Sequence, residues 1–155
     1  MTVIAYDGET LACDSLMTDG SDQFHTLKIF RLKDGRLFGG AGHAGYAARI
    51  LEWLGNGSKK KDRPDLSVFS KGSFEGLLID EGCCFMLDAY LAPIPIVGKR
   101  AAVGSGASHA MALMAAGYSA PDAVAFIISN NLADGVGGEV QSLTLKKRKA
   151  GIRAR

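Results

Sequence analysis

Three glycine turn signals, Asp7-Gly8, Lys33-Asp34-Gly35 and Glu81-Gly82, each separate two strand-like runs, and this constrains the fold more than any other feature of the chain. A glycine beside a polar residue between two such runs marks a tight antiparallel hairpin. The first joins residues 2–6 to 11–14, the second 25–32 to 36–40, and the third 74–80 to 83–88. Helical spacing occurs in only three places. Residues 44–54 put Ala47, Ile50, Leu51 and Leu54 on one face, 107–116 form a run of small residues, and 121–132 carry Pro121 in a first turn. Short strands fit 101–103 and 140–145, and no internal repeat or low-complexity block interrupts the order. Strands, helix, strands, two helices, strand is not the alternation of a parallel βαβ fold. It predicts an α+β chain in which antiparallel sheets are covered by helices. The last two helices, joined by a short turn, should pack as an antiparallel pair.

The 155 residues, 47% hydrophobic and 22% charged, fit one ordinary globular domain with a substantial core. We take this domain as residues 1–145. No apolar run reaches the length of a membrane span, and the start, MTVIAYDGET, has neither a basic region nor an apolar leader. Cys13, Cys83 and Cys84 make an odd set with no zinc spacing. They read as small thiols in a reducing compartment, so a cytoplasmic location is expected, with no membrane partner. The net charge of +2 is uneven: residues 146–155 hold six of the eighteen basic side chains and no acid, which leaves −4 on the rest. Such a tail can hold nucleic acid or an acidic surface. A solvated terminus is the simpler reading, and nucleic acid is not expected as a partner.

The chemistry starts at Thr2. A threonine hydroxyl is a weak nucleophile unless a base takes its proton, and a free α-amino group on the same residue can serve. That requires removal of Met1. By itself, a Met-Thr start reads as a plain strand start. Lys28 lies in the apolar run HTLKIFRL, on the same side as Thr26 and Phe30. It is either snorkelling at an edge or buried beside a carboxylate, for which Asp14 is the candidate. A buried ammonium beside Thr2 would favour the ionised hydroxyl.

Several glycine clusters adjoin these residues. The run 39–42 ends a strand before a helix, where backbone N–H groups can face a developing oxyanion. Residues 40–45 also spell G-x-G-x-x-G, but a dinucleotide site needs a second parallel strand with an acid about 20 residues on. Here that interval is the polar loop containing KKKDRPD. His43 has no evident ligand partners, so neither metal nor other cofactor is expected. Gly104-Ser105-Gly106 precedes a helix, and Ser105 reads as an N-cap or a site residue. It lacks nucleophile-elbow spacing. The run 134–138, DGVGG, is a turn or the seat of a functional Asp134.

Taken in order, these features resemble the proteasome β-subunit family of N-terminal nucleophile hydrolases, above all its bacterial heat-shock-locus relatives and their phage and proteobacterial cousins. The similarity runs from Thr2 to about residue 145. It rests on the Thr at the mature start, the Asp14 hairpin, Lys28 in TLKIFRL, Ala41-Gly42, and Gly-Ser-Gly before a helix. The interval from Lys28 to Gly42 is the family's own spacing. The resemblance implies a four-layer α/β/β/α sandwich and a threonine-type endopeptidase working inside a homo-oligomeric ring. It implies Thr2 as nucleophile, Lys28 and Asp14 as tuning groups, the Gly42 N–H as oxyanion hole, and Ser105 and Asp134 near the Thr2 amine. A peptide or unfolded protein would add as a strand beside Met17, Thr18 and Gly42. Thr26, Phe30, Gly40 and Ala44 would line the pocket for the residue before the cut. An ATP-dependent unfoldase is an expected type of partner. The chain departs from the pattern in a short interval between Thr2 and Lys28 and in a missing serine after Asp134. The alternatives are a small-molecule amidase of the same fold and a catalytically silent, ring-forming subunit.

Overall fold

The computed structural model describes residues 1–65 and 74–146, so all of the expected basic tail except Lys146 lies outside the described residues. One sheet has strand order β10-β1-β2-β11, built from Ala101–Gly104, Val3–Tyr6, Thr10–Cys13 and Gln141–Thr144. A second runs β5-β6-β7-β8-β9, from Ile29–Arg31, Leu37–Gly42, Phe74–Asp80, Cys83–Leu87 and Ile94–Pro95. A separate hairpin pairs β3 (Leu16–Asp19) with β4 (Asp22–His25). The helices are α1 (Ala44–Gly55), α2 (Ala107–Ala115) and α3 (Ala120–Ser129).

The period-two alternation of the strands dictates the layers. On β1, Ile4 and Tyr6 face the second sheet, while Val3 and Ala5 face α2 and α3. On β7, Leu77 and Ile79 face the first sheet, while Phe74 and Leu78 join Tyr46, Ile50 and Leu54 of α1. Three clusters therefore separate four layers in the order α/β/β/α, as the resemblance implied. Gly39 and Gly40 show how tightly the layers close. A Cβ on Gly39 would stand 2.9 Å from Ile4 across the sheet interface, and one on Gly40 would stand 3.0 Å from Ala47 of α1. Strands β6 and β7 are antiparallel, so the G-x-G-x-x-G run has no βαβ context.

The first and third hairpins form where the turn signals placed them. Asp7 explains the first. Its Oδ1 accepts from the backbone N–H groups of Glu9 (2.9 Å) and Thr10 (2.8 Å), and its Oδ2 accepts from that of Ala120 (2.8 Å), tying the turn to the start of α3. The second hairpin is shorter than expected. The run 25–32 breaks: His25 ends β4, residues 26–28 leave the ladder, and only 29–31 pair with β6. The β3–β4 hairpin gave no apolar alternation because most of its residues are exposed. Strand β9 is only two residues long.

The inter-sheet cluster contains Tyr6, Cys13 and Cys84. Burial is the main cause that pushes each pKa up, Tyr6 to about 12, Cys13 to about 12 and Cys84 to about 11, with the Asp14 charge adding at Cys13 and that of Cys84 at Tyr6. Above pH about 9 the unfolded chain ionises these groups while the folded chain holds their protons. The stability they contribute is complete below pH about 9 and is lost as pH rises through 11–12. Urea unfolding midpoints should fall steadily from pH 8.5 to 11, and Cys13→Ala with Cys84→Ala should flatten that fall.

Candidate active site

Thr2 stands immediately before β1, 4% exposed, and every contact around it comes from a different part of the chain. Strand pairing places Ile4 opposite Cys13 and so brings Asp14 opposite Val3, where its side chain reaches the neighbouring Thr2. Asp14 is completely buried. Its Oδ1 accepts from the Thr2 hydroxyl, from the Val3 N–H at 3.1 Å and from Lys28 Nζ at 3.0 Å, and its Oδ2 accepts from the Gly137 N–H at 3.1 Å. Lys28 Nζ also donates to Thr2 Oγ1 at 2.6 Å, with its side chain 9% exposed. Of the two readings left open for Lys28, the structure has the buried pair, not the snorkelling residue.

The Gly-Ser-Gly run is shaped by the backbone of Thr2. The Thr2 carbonyl accepts from the Gly106 N–H and from Ser105 Oγ, both at 3.2 Å. Gly104 has φ +94°, and a Cβ there would run into that same carbonyl; one on Gly106 would stand 2.8 Å from Val3 Cβ. Side chains at either position would push the strand away. Ser105 does not cap α2, whose N-cap is Gly106. Its hydroxyl is instead shared between the carbonyls of Thr2 and Asp134, at 3.2 Å each. Asp134 is exposed, and the contact that ties it to this group is through its main chain.

A cavity of about 630 Å³ opens over the Thr2 hydroxyl. Lys28, Gly42 and all six residues expected to bind substrate border it: Met17 and Thr18 from β3, Thr26 and Phe30 on either side of Lys28, Gly40 on β6 and Ala44 on α1. Met1 also borders the cavity, with its Cβ close to Gly135. Gly42 closes β6 with φ +111°, a conformation side chains rarely adopt, and so turns the chain at the rim of the cavity. Among the described residues no group of three or more His, Cys, Asp or Glu is arranged to hold a metal. His43 caps α1, accepting from the Gly45 N–H at 3.2 Å.

Sequence reasoning missed several contributors. The Gly137 N–H holds Asp14, while the Gly137 carbonyl accepts from the Ser15 and Leu16 N–H groups at 3.2 and 3.1 Å. The DGVGG run thus carries backbone contacts that no side-chain pattern advertises. Ala47, Ala48 and Leu51 also line the cavity. The sequence places Ala47 and Leu51 on one face of this helix but does not single them out, or Ala48, as site residues.

No family model matches the chain, and no curated protein matches it. Solved structures do. The chain aligns over 95% of its length with all of Thiobacillus denitrificans BPH in complex with epoxomicin, at 20% identity and a TM-score of 0.69. It aligns over 95% with all of the eukaryotic HslV from Trypanosoma brucei, at 19% identity and a TM-score of 0.70. A further structure of the Thiobacillus protein gives 0.67 at 19% identity over 94% of this chain and 99% of that one. The fold is that of the proteasome-like peptidases. At these identities the similarity speaks for architecture, and the chemistry rests on this chain's own residues.

The Lys28–Asp14 pair is buried deeply enough that removing one partner strands the other. Lys28→Met should lower the unfolding free energy by about 3–5 kcal/mol. Lys28→Met with Asp14→Asn should recover much of the loss, since no charge is then left buried. Urea titrations of the two variants beside the parent protein check this.

Proposed function

We propose that the protein is a threonine peptidase whose nucleophile is the Thr2 hydroxyl, freed for catalysis by removal of Met1. One observation carries the reading: that hydroxyl lies between a buried ammonium and a buried carboxylate at the base of an open cavity. While Met1 is attached, the Thr2 nitrogen is an amide and has no basic lone pair. Once Met1 is removed, it is an amine with an ordinary pKa near 8, able to take the hydroxyl proton at neutral pH.

In this mechanism the Thr2 oxygen attacks the peptide carbonyl as its proton passes to the amine. Lys28 stabilises the negative charge that develops on the attacking oxygen, and Asp14 holds Lys28 in place. The Gly42 N–H receives the oxyanion. The tetrahedral adduct collapses when the amine returns the proton to the leaving nitrogen, which gives a Thr2 ester. Water, activated by the same amine, hydrolyses that ester. Ser105, whose hydroxyl also reaches the Asp134 carbonyl, and the Gly106 N–H hold the Thr2 carbonyl and so aim the amine. The peptide lies against Met17, Thr18 and Gly42. The residue before the cut enters between Thr26, Phe30, Gly40 and Ala44, whose neighbours Ala47, Ala48 and Leu51 suit a bulky uncharged side chain. Assembly into a homo-oligomeric ring, fed by an ATP-dependent unfoldase, would confine such a site away from folded proteins.

The test combines mass and rate. Intact-mass measurement should show loss of one methionine, and fluorogenic peptides should be cleaved. Thr2→Ala should abolish turnover, and Lys28→Ala and Lys28→Arg should each lose on the order of 100–1,000-fold in kcat. A guanidinium does not take the place of a compact ammonium. Epoxomicin, held by the Thiobacillus protein of the same fold, should inhibit the parent protein. A protein that keeps Met1 and cleaves peptides at full rate would sink the mechanism. Cleavage of small amides but not peptides would favour the amidase reading. Light scattering should report a mass many times 16.3 kDa; a strict monomer would remove the ring.

A further inference from the structure

Lys28 is presented to Thr2 from a stretch of chain that belongs to no sheet. Residues 26–28 lie between the end of β4 at His25 and the start of β5 at Ile29. The Thr26 N–H donates to the Ser15 carbonyl at 2.9 Å, but a segment outside the sheet ladders is a poor support for a side chain whose ammonium must stay within hydrogen-bonding distance of a hydroxyl. The segment is not left to itself, however. The carboxamide of Gln141, the first residue of β11, reaches it from the other sheet. Gln141 Nε2 donates to the Thr26 carbonyl at 2.8 Å, and Gln141 Oε1 accepts from the Lys28 N–H at 3.3 Å.

These two bonds are the pair that a neighbouring strand would make, with one carboxamide standing in for a peptide group. Position and orientation both follow from the sheet. Gln141 is opposite Cys13 in the β2–β11 register, and Cys13 faces the inter-sheet core, so Gln141 is on the face turned toward the second sheet. The Cys13 thiol donates to Gln141 Oε1 at 3.3 Å. Two donors thus converge on Oε1, and the carboxamide has one orientation that satisfies them together with the Thr26 carbonyl. On the far side, the Lys28 carbonyl accepts from the Gly40 N–H at 3.2 Å. The backbone of Lys28 is therefore held from both sheets at once, through Gln141 on one side and Gly40 on the other.

We infer that Gln141 is the positioning residue for Lys28: its carboxamide splints residues 26–28 so that the ammonium meets Thr2 Oγ1. The inference rests on the peptidase reading for its catalytic half. Gln141 touches neither Thr2 nor the cavity, and it acts through the backbone that carries Lys28.

Gln141→Met keeps length and bulk and removes both hydrogen bonds. In the assembled parent protein this change should lower kcat on the order of 100-fold with KM changed little, because the loss is in alignment of a reacting group. Rates are counted per folded site, titrated with epoxomicin, so that loss of folded protein does not enter. The Lys28 amide should exchange about tenfold faster by NMR, the equivalent of one hydrogen bond. Gln141→Asn, one methylene short of spanning both backbone groups, should behave in the same way and replaces the Met variant if that one does not fold. Unchanged kcat per folded site, or a fall in kcat with Lys28 exchange unaltered, overturns the inference. A parent protein without Thr2-dependent turnover overturns the peptidase reading and the catalytic half of this inference; faster Lys28 exchange would still establish the splint, and unaltered exchange would remove it.

Discussion

The structure around Thr2 depends on one buried ion pair. Asp14 has no exposed surface, and Lys28 Nζ meets it at 3.0 Å. Taking both charges out of water is costly and is tolerated only where each is fully coordinated. That requirement explains much of the surrounding chain. The N–H groups of Val3 and Gly137 complete the carboxylate, and the Thr2 hydroxyl bridges carboxylate and ammonium. Four separate segments must therefore converge with little positional freedom: the start of β1, the end of β2, residues 26–28 before β5 and the glycine run before β11.

The convergence needs close backbone approach, and the glycines supply it. Gly104 and Gly106 admit the Thr2 carbonyl and Val3, while Gly39 and Gly40 let the sheets and α1 close over the layer that carries Lys28. The same compactness leaves the site few ways to relax. The N–H groups of Val3, Gly137 and Gly106 hold the Asp14 carboxylate and the Thr2 carbonyl, and main-chain donors do not rotate away as side chains do. A hydroxyl kept between fixed charges in a poorly solvated place is a preorganised arrangement, and this makes Thr2 the reacting group of the proposed function.

The sequence carried the hairpins because their signal is local. Asp7-Gly8 fixes its turn through the positive φ of Gly8 and the bonds to the Asp7 side chain, and Glu81-Gly82 through positive φ at both residues. The β3–β4 hairpin had no such apolar signature, since its strands are mostly exposed at the rim of the cavity. The break at residues 26–28 was equally invisible. HTLKIFRL alternates as one strand, but His25 pairs in β4 and Ile29 in β5, and the residues between them exchange backbone bonds with Ser15, Gly40 and the Gln141 carboxamide instead of one continuous ladder. Ser105 was legible as a residue of interest but not in its role, because an N-cap and a contact to a distant carbonyl demand the same side chain.

The sequence by itself determined the antiparallel hairpins, the three helical stretches and the α+β class, and it put forward Thr2, Asp14 and Lys28 as candidates. The hairpins and helices follow from periodicity and turn chemistry; the grouping of Thr2, Asp14 and Lys28 into one site is what the resemblance to the proteasome β-subunit family implied. Tertiary structure alone decided that Lys28 is buried rather than snorkelling, and that Asp14 is its partner. It also decided that Gly137, Ser105 and Gln141 hold the group from outside. Each of these is a contact between residues distant in sequence, made largely through backbone atoms that every residue possesses. A pattern of side chains cannot record them; they exist only once two sheets have been brought face to face.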